Sequence, residues 1–433
     1  MNFAAELPWT PPDEAFLCLG GAGTAFLDSA AVGDKRAQIS YLCIDPYASL
    51  TLGESPYAEL RDFLARHRPL QAAASAWPFA FKGGAVGWIG YDAARQAIGV
   101  SSQFSAMPGL PGGWFALHNI ILGFDHPAQR LYYLGPEGGL AEIGSRLAQR
   151  PALPGLPALQ WVPEMVRATY LATHERLRGY IEAGDVYQTN LTLRFAAARP
   201  PEASLAGLHM ALRALSPAPF ADCIDAGGFG LASASPERFM RLQADGQVET
   251  RPIKGTAARE PGAAADAAAA QALVENPKER AENLMITDLL RHDLGQVCSI
   301  GSIAVPEFCV VESFAQAHHL VSCVTGRLKP GLDALDLLAA TLPGGSITGA
   351  PKRRAMEIID RLELGPRGAY CGVVAWIGFD GAMDSAIIIR TVTAAADTLH
   401  AQSGGGITWD SFGPAEYEEA MIKIAPLLAL GND

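Results

Sequence analysis

Residues 249–256, Glu-Thr-Arg-Pro-Ile-Lys-Gly-Thr, place one lysine where it could act as a nucleophile. Pro252 restricts the backbone before Lys254, and Gly255 lets a ligand approach the main chain after it. A lysine amine attacks carbon only after it has lost its proton, which burial beside other cations favours. A strand that runs into a turn with a solvated lysine has the same local pattern, so the surrounding motifs must decide between the two interpretations.

Two predicted helices carry carboxylates at helical spacing. One begins with Asn276 as its N-cap and carries Glu279 and Glu282, and the last helix of the chain carries Glu416 and Glu419. Side chains three or four residues apart lie on the same face of a helix. Together the two helices could bind a hard cation such as Mg²⁺, which keeps several waters and uses only one or two protein carboxylates. A solvated helix flank would carry the same pattern.

Two glycine-rich segments are candidates for binding an anion. Residues 343–351, Pro-Gly-Gly-Ser-Ile-Thr-Gly-Ala-Pro, precede a predicted helix over residues 352–362, whose free N–H groups favour negative charge. The lysine of a nucleotide-binding loop is displaced onto the helix at Lys352, so a carboxylate ligand fits better than a nucleotide. Residues 403–407, Ser-Gly-Gly-Gly-Ile, are predicted on their own to form a tight turn. Arg390 ends a buried apolar run and therefore needs a partner anion.

The elements that position these groups follow from periodicity. A helix is predicted over residues 163–183, and a strand over residues 186–195 places Gln188, Asn190, Thr192 and Arg194 on one polar face. The helix capped by Asn276 should end at residues 294–295, and Pro426 should kink or end the last helix.

His318 and His319 are neighbours on a predicted strand, where successive side chains point to opposite faces. The two histidines therefore make a poor metal-binding pair, and a structural role is favoured for His318.

The first 150 residues alternate short apolar runs with turn residues. They predict mostly antiparallel strands over residues 16–19, 39–44, 84–91, 120–124 and 131–134, with a helix over residues 57–66. Three prolines within residues 150–157 mark a linker. The predicted division is an N-terminal domain over residues 1–150 and a catalytic domain over residues 158–430.

Composition excludes several classes of protein. The 433 residues carry a net charge of −12 and no run of Lys and Arg beyond residues 352–354, which argues against binding to nucleic acid or an anionic membrane. The seven scattered cysteines contain no Cys-x-x-Cys motif and indicate reduced thiols in the cytoplasm. No stretch of eighteen apolar residues and no secretion signal is apparent.

The motifs of the chain and their order along it resemble those of the chorismate-utilising enzymes, most closely the branch that aminates chorismate at C4. The resemblance covers nearly the whole chain and rests on residues 184–190, 235–238, 251–256, 280–289, 318–322, 343–352 and 403–407. It implies an α+β fold, a large α/β/β/α sandwich of two intertwined similar subdomains, as in anthranilate synthase component I.

The resemblance also implies roles for individual residues. Lys254 would add to C2 of chorismate and displace the C4 hydroxyl, Glu237 would protonate that hydroxyl, and His319 would lie near the ring. Glu282 and Glu419 would bind Mg²⁺, with Glu279 and Glu416 acting through water. The residues implied in substrate binding are Gly255, Thr256, Thr348, Tyr370, Arg390, Gly404, Gly405 and Gly406.

Partners follow from the same resemblance. Nothing in the chain resembles a glutaminase, so ammonia would come from solution or from a separate glutamine amidotransferase subunit. Residues 26–29 and 217–220 weakly match a tryptophan site of relatives. Three alternatives stay open: anthranilate synthase component I, an isochorismate synthase, and a non-catalytic chorismate-binding paralogue. Gln188 stands where the water-adding relatives carry a lysine base, which argues against hydration.

Overall fold

The computed structural model of the chain describes residues 3–31, 33–67, 76–149, 152–314 and 317–431. Within them the helices are α1 (Pro12–Leu19), α2 (Pro56–His67), α3 (Tyr91–Ala97), α4 (Leu140–Leu147), α5 (Arg167–Glu182), α6 (Leu205–Leu215), α7 (Ala263–Glu275), α8 (Pro277–Val297), α9 (Ala334–Thr341), α10 (Lys352–Leu362) and α11 (Gly413–Leu428).

The strands in the same residues are β1 (Phe3–Leu7), β2 (Ala25–Asp28), β3 (Ile39–Thr51), β4 (Gly84–Ile89), β5 (Gly113–Asp125), β6 (Arg130–Gly135), β7 (Val162–Pro163), β8 (Gln188–Ala198), β9 (Ala221–Asp225), β10 (Gly230–Ser233), β11 (Arg238–Leu242), β12 (Gln247–Thr250), β13 (Ile253–Ala258), β14 (Ala304–Ser313), β15 (Ala317–Arg327), β16 (Gly349–Ala350), β17 (Val373–Gly378), β18 (Met383–Ile387), β19 (Thr391–Ala395) and β20 (Thr398–Ile407).

The strands pair in two antiparallel arms that diverge from the long β3–β5 pair. The first arm continues from β3 through β2, β9, β10, β19 and β20 to β8. The second continues from β5 through β4, β17, β18, β11 and β12 to β15, which also pairs with β13 and β14. Because β2 pairs with β9 and β4 with β17, strands from either side of the proline-rich linker share both arms.

Side-chain alternation along the strands divides the core into layers. On β4, Val86 and Trp88 belong to a cluster between the two arms, whereas Ala85 and Ile89 face a cluster with α2, α3, α8 and α9. A third cluster packs α1, α5, α6, α10 and α11 against the other face of the first arm. The order of layers is helix, sheet, sheet, helix, so the predicted α+β sandwich is confirmed.

Several local predictions are confirmed, and others are wrong. Residues 16–19 form the end of α1 and not a strand, because Pro12 and two acidic residues begin a helix whose Phe16 and Leu19 are buried one turn apart. Helix α8 continues past Gly295, since burial of Leu294 and Val297 holds its last turn.

Helix α11 passes through Pro426 to Leu428, so of the two predicted outcomes, a kink or an end, the proline does not end the helix. Ile424 and Leu427 are buried on either side of it, and this packing keeps the last turn helical. Helix α10 begins and ends where the sequence predicts. In the described part of the chain no helix combines the length and apolar character needed to cross a membrane.

Candidate active site

Lys254 lies in β13, next to a bulge that Gly255 makes possible. The pairing of β13 with β15 shifts between Ile253 and Thr256, and Gly255 has φ +84°. A Cβ on Gly255 would lie 2.9 Å from Glu279 Oε2, so Glu279 lies close to this turn of the backbone, and the backbone angle favours glycine here.

The charge of Lys254 favours the ionised form, and so lowers the pKa, of three carboxyl groups from separate elements. Burial raises the pKa of Glu237 and Glu282, and Lys254 opposes that rise in both. Burial also acts on Glu419, but Lys423, Lys278 and Lys254 together lower the pKa of that carboxyl. The charge of Lys254 is therefore felt by acids on the β10–β11 connection, α8 and α11. We call the space around Lys254, Glu237 and Arg390 the cleft.

Glu237 has the protonation behaviour that a general acid needs. Burial raises the pKa of its carboxyl to about 7, against the opposing effects of Lys254, Ser346 and Arg36. Its backbone carbonyl accepts a hydrogen bond of 3.1 Å from Ile387 N, which joins the residue to the end of β18. Ser346 Oγ lies 3.5 Å from Glu237 Oε1. Near neutral pH this carboxyl can therefore both hold and release a proton.

Arg390 is a partly buried cation without a protein anion. Among the described residues its guanidinium forms no ion pair or hydrogen bond, while its backbone carbonyl accepts from Ala234 N at 3.0 Å. Burial lowers its pKa and the charge of Glu237 opposes that change. The residue also has φ +50°, an unfavourable angle for a side chain with a Cβ. Such a guanidinium suits a carboxylate ligand.

The two adjacent histidines point to opposite sides of β15. His319 Nδ1 lies 3.0 Å from Thr256 Oγ1, and burial together with the charges of Arg36 and Arg390 lowers the pKa of His319 to about 4. His319 is therefore neutral at pH 7. His318 is buried between Ser313 and Asp266, at 2.7 and 3.0 Å, and its role is structural.

The glycine run lies inside β20, so the prediction of a tight turn at residues 403–407 is wrong. Gly404, Gly405 and Gly406 pair with Thr192, Leu191 and Asn190 of β8. A Cβ on Gly404 would lie 2.3 Å from the Leu191 carbonyl oxygen, and one on Gly406 would lie 2.1 Å from Gln188 Nε2. Gly404 and Gly406 are required by close packing against β8, which lies more than 200 residues away in sequence, whereas a Cβ on Gly405 would lie 3.4 Å from Glu416 Oε2, an ordinary contact distance.

The polar face predicted on β8 contains unsatisfied groups. Gln188 is fully buried, and neither atom of its amide has a hydrogen-bond partner in the described structure; Asn190 Oδ1 also lacks one. Buried polar atoms without partners are costly, which suits a site that binds a polar ligand or ordered water.

The glycine-rich segment at residues 343–351 approaches the cleft through Ser346, whose hydroxyl lies near Glu237. Thr348 is buried and donates 2.8 Å to the Gly344 carbonyl oxygen, so it braces the segment from within. Lys352 is not available to an anion, because its Nζ lies 2.6 Å from Asp293 Oδ2. Tyr370 lies in the core, where its neighbours are Arg367 and Cys371, and no described contact joins it to Glu237 or Lys254.

The four glutamates predicted to bind Mg²⁺ lie on facing parts of α8 and α11. Asn276 caps α8 by accepting from Lys278 N and Glu279 N. Glu279 and Glu416 both raise the pKa of Glu282, in addition to burial. Glu416 is buried, and its carboxylate has no hydrogen bond or ion pair within the described residues. Glu419 is held at 2.6 Å by Lys423.

The carboxylates fit a cation that needs few protein ligands. Among the described residues no three His, Cys, Asp or Glu side chains form a group that could hold a metal ion on their own. Mg²⁺ does not require such a group, because waters and ligand oxygens complete its coordination. The unpaired Glu416 beside Glu282 is the feature that supports a cation here.

Sequence reasoning missed Lys423 and Arg36 as members of the site. Lys423 Nζ lies 3.3 Å from the Gly404 carbonyl oxygen and acts on Glu237 as well as Glu419. Its position on the same helix face as Glu416 and Glu419 was a usable signal. Arg36 lies in an N-terminal segment whose sequence gives no such signal.

A separate cavity of about 430 Å³ lies between the two arms, and we call it the side cavity. Both segments that resemble a tryptophan site line it, through Ser29 and Phe220 among others. Its walls also include Tyr41, Trp376 and Asp222. Asp222 is buried without a hydrogen-bond partner in the described structure, and burial raises its pKa well above the ordinary range.

Comparison with known proteins places this geometry in context. A family model described as chorismate binding enzyme matches residues 25–429. Aminodeoxychorismate synthase component 1 of Klebsiella aerogenes is 42% identical over 351 residues, which cover 80% of this chain and 77% of the relative. Anthranilate synthase component 1 of Thermus thermophilus is 39% identical and covers the same shares, 80% and 77%. The crystal structure of anthranilate synthase component I from Streptococcus pneumoniae superimposes with a TM-score of 0.79, at 30% identity, over 90% of this chain and 91% of that one.

Proposed function

Since the chain belongs to the family of chorismate-binding enzymes, we propose that it aminates chorismate at C4 with ammonia to give 4-amino-4-deoxychorismate. The observation that carries this proposal is the position of Lys254, whose ammonium acts on Glu237, Glu282 and Glu419 together. A lysine directed away from these acids could not reach a substrate bound among them. The relatives named aminodeoxychorismate synthase component 1 support the same reaction.

The proposed reaction has two displacement steps. The neutral amine of Lys254 forms a bond to C2 of chorismate, the two conjugated ring double bonds shift toward C4, and the C4–O bond breaks as Glu237 delivers a proton, so that water leaves. Ammonia then forms a bond to C4, both double bonds shift back, and the C2–N bond to Lys254 breaks. The sum is chorismate plus ammonia giving the C4 amine plus water. A lysine bonded at C2 blocks amination there, which directs nitrogen to C4.

The other residues of the cleft would hold the substrate and its charge. Arg390 provides an unpaired guanidinium for one carboxylate of the dianion, and Thr256 with His319 would lie beside the ring. Glu282 and Glu419, with Glu279 and Glu416 behind them, would hold Mg²⁺. Bound there, Mg²⁺ would supply positive charge for a substrate carboxylate, which an acidic protein otherwise lacks.

We also propose that ammonia is delivered by a separate glutamine amidotransferase subunit. The component 1 names of the relatives imply a second component, and nothing in this chain resembles a glutaminase. The folate and p-aminobenzoate route is the metabolic context that this product implies.

Amination at C2, which would give anthranilate, is the alternative that a specific observation favours, because one relative at 39% identity is an anthranilate synthase component 1. The decisive experiment incubates the protein with chorismate, ammonium and Mg²⁺ and identifies the aminated product by mass and NMR. Nitrogen at C4 supports the proposal, and anthranilate as the main product rejects it.

The side cavity supports a further part of the proposal, namely that it binds tryptophan. Tyr41, Phe220 and Trp376 provide an aromatic lining suited to an indole ring. Asp222 has no partner in the described structure and would accept the ammonium group of an amino acid. Calorimetric titration with tryptophan, with phenylalanine as the comparison ligand, tests this part.

A further inference from the structure

Arg36 belongs to both the side cavity and the wall of the cleft. The side chain lines the cavity and is 15% exposed. Its guanidinium is held by Asp34, with Nε at 3.0 Å from Oδ1 and Nη2 at 2.7 Å from Oδ2. A guanidinium paired in this way has little freedom to reorient, so its third nitrogen donor, Nη1, points in a fixed direction.

That remaining donor is used on the segment that carries the general acid. Arg36 Nη1 donates 3.0 Å to the carbonyl oxygen of Pro236, the residue directly before Glu237. The contact joins residues 200 positions apart in the sequence. It therefore anchors the backbone of the β10–β11 connection at the residue that precedes Glu237.

The same guanidinium also packs on the strand connection next to His319. It lies over the ring of Phe314, 4.1 Å from the centroid, and the Phe314 ring lies 5.5 Å from that of His319. A stacked guanidinium favours one orientation of the aromatic ring. Arg36 thus contacts Pro236, which precedes Glu237, and Phe314, whose ring packs near that of His319.

We infer that Arg36 is a positioning residue, which fixes Glu237 and His319 relative to each other by its contacts to Pro236 and Phe314. This role rests on the proposed function of Glu237 as the acid. The charge of Arg36 supports the assignment, since it lowers the pKa of both Glu237 and His319. A small displacement of an acid from the leaving oxygen lowers the rate much more than it lowers binding.

The test compares Arg36→Met and Arg36→Lys with a matched control, Arg130→Met. Arg130 has the same two kinds of contact, a carboxylate pair with Glu6 at 2.6 Å and a ring, Tyr132, at 5.0 Å, but its side chain is 50% exposed at the start of β6. Each variant is assayed for chorismate consumption with ammonium and Mg²⁺, whatever the product. Amide hydrogen exchange is measured over residues 233–240 and 317–322.

For Arg36→Met we expect kcat about tenfold below that of Arg130→Met, a KM for chorismate within about threefold, and exchange about tenfold faster in both segments. Arg36→Lys should recover part of kcat, because an ammonium can still donate to the Pro236 carbonyl. Equal kcat in Arg36→Met and Arg130→Met, a rise in KM alone, or unchanged exchange would each overturn the inference.

Failure of the proposed function would look different. Wild-type protein that forms anthranilate would reject C4 amination, yet the kcat comparison and the exchange data would still decide the role of Arg36. If wild-type protein consumes no chorismate, unchanged exchange in Arg36→Met still rejects the inference, and faster exchange in both segments supports the anchoring contact.

Discussion

The cleft and the side cavity are both lined by charged side chains, but they differ in how those charges are compensated. In the side cavity Arg238 binds Asp384 through two hydrogen bonds of 2.8 and 3.0 Å, and Arg36 binds Asp34. In the cleft Arg390 and Glu416 have no partner of opposite charge in the described part of the chain.

This difference indicates which kind of ligand each space stabilises. Removing a charge from water without a partner costs free energy, and an ionic ligand recovers that cost. The cleft would therefore suit an anion and a cation together, which is what the proposed dianionic substrate and Mg²⁺ are. In the side cavity Arg36 and Arg238 are paired, Arg241 and Lys35 are exposed to solvent, and the buried Asp222 has no partner among the described residues, so the cavity suits an aromatic molecule with one ammonium group.

Replacement of the cleft lysine is expected to have the largest effect. Lys254→Ala should abolish the C4-aminated product, because no amine remains to bond C2, and some anthranilate could form in its place. Product analysis by chromatography and NMR measures this, with the surface variant Lys329→Ala as control, since the Lys329 ammonium donates only to the Gln296 carbonyl oxygen among the described groups. Full activity and unchanged product in Lys254→Ala would contradict the covalent role.

Removal of the acid should rank second. Glu237→Gln is expected to lower kcat by about 10²–10⁴-fold, the range typical of general acid catalysis. Because the acid must be protonated to donate, and its pKa is about 7, wild-type kcat should fall as pH rises above about 7. The variant should lack that fall. If kcat of Glu237→Gln still fell with rising pH at the same midpoint, the titration would belong to another group.

The unpaired cation of the cleft should affect binding more than chemistry. Arg390→Met is expected to raise KM for chorismate by about 10- to 100-fold, since a charge-assisted hydrogen bond contributes about 1.5–3 kcal/mol. Arg390→Lys should raise KM less than Arg390→Met does, because lysine keeps the charge although it lacks the bidentate geometry. Steady-state kinetics at several salt concentrations measures both. An unchanged KM in Arg390→Met would show that the cleft does not use this charge for substrate.

The smallest effect is expected in the side cavity. Asp222→Asn keeps the size and a hydrogen-bond acceptor but cannot become an anion, so the affinity for tryptophan should fall by about tenfold. Calorimetry with both proteins measures the change, and Ser29→Ala gives a comparison for the loss of a neutral polar group in the same wall. Equal affinity in Asp222→Asn and wild type would exclude an ionic role for this acid.

Much of the fold was predictable because local sequence controls helix ends and strand alternation. The cap at Asn276 and the bounds of α10 follow from residues within a few positions of each other. Helices α8 and α11 continue past Gly295 and Pro426 because distant packing outweighs a local helix breaker there. The glycine run at residues 403–407 was misjudged for the same reason, because its partner strand β8 is remote in sequence.

The sequence by itself determined the family and predicted the lysine and the acids proposed to carry out the chemistry, since these depend on residue types in a fixed order. Only the tertiary structure decided which charges are paired: it left Arg390 and Glu416 without partners, bound Lys352 to Asp293, and placed Arg36 against Pro236. The physical reason is that the pKa of a side chain and the partner it binds depend on distances of a few ångströms between segments hundreds of residues apart, which only chain packing sets.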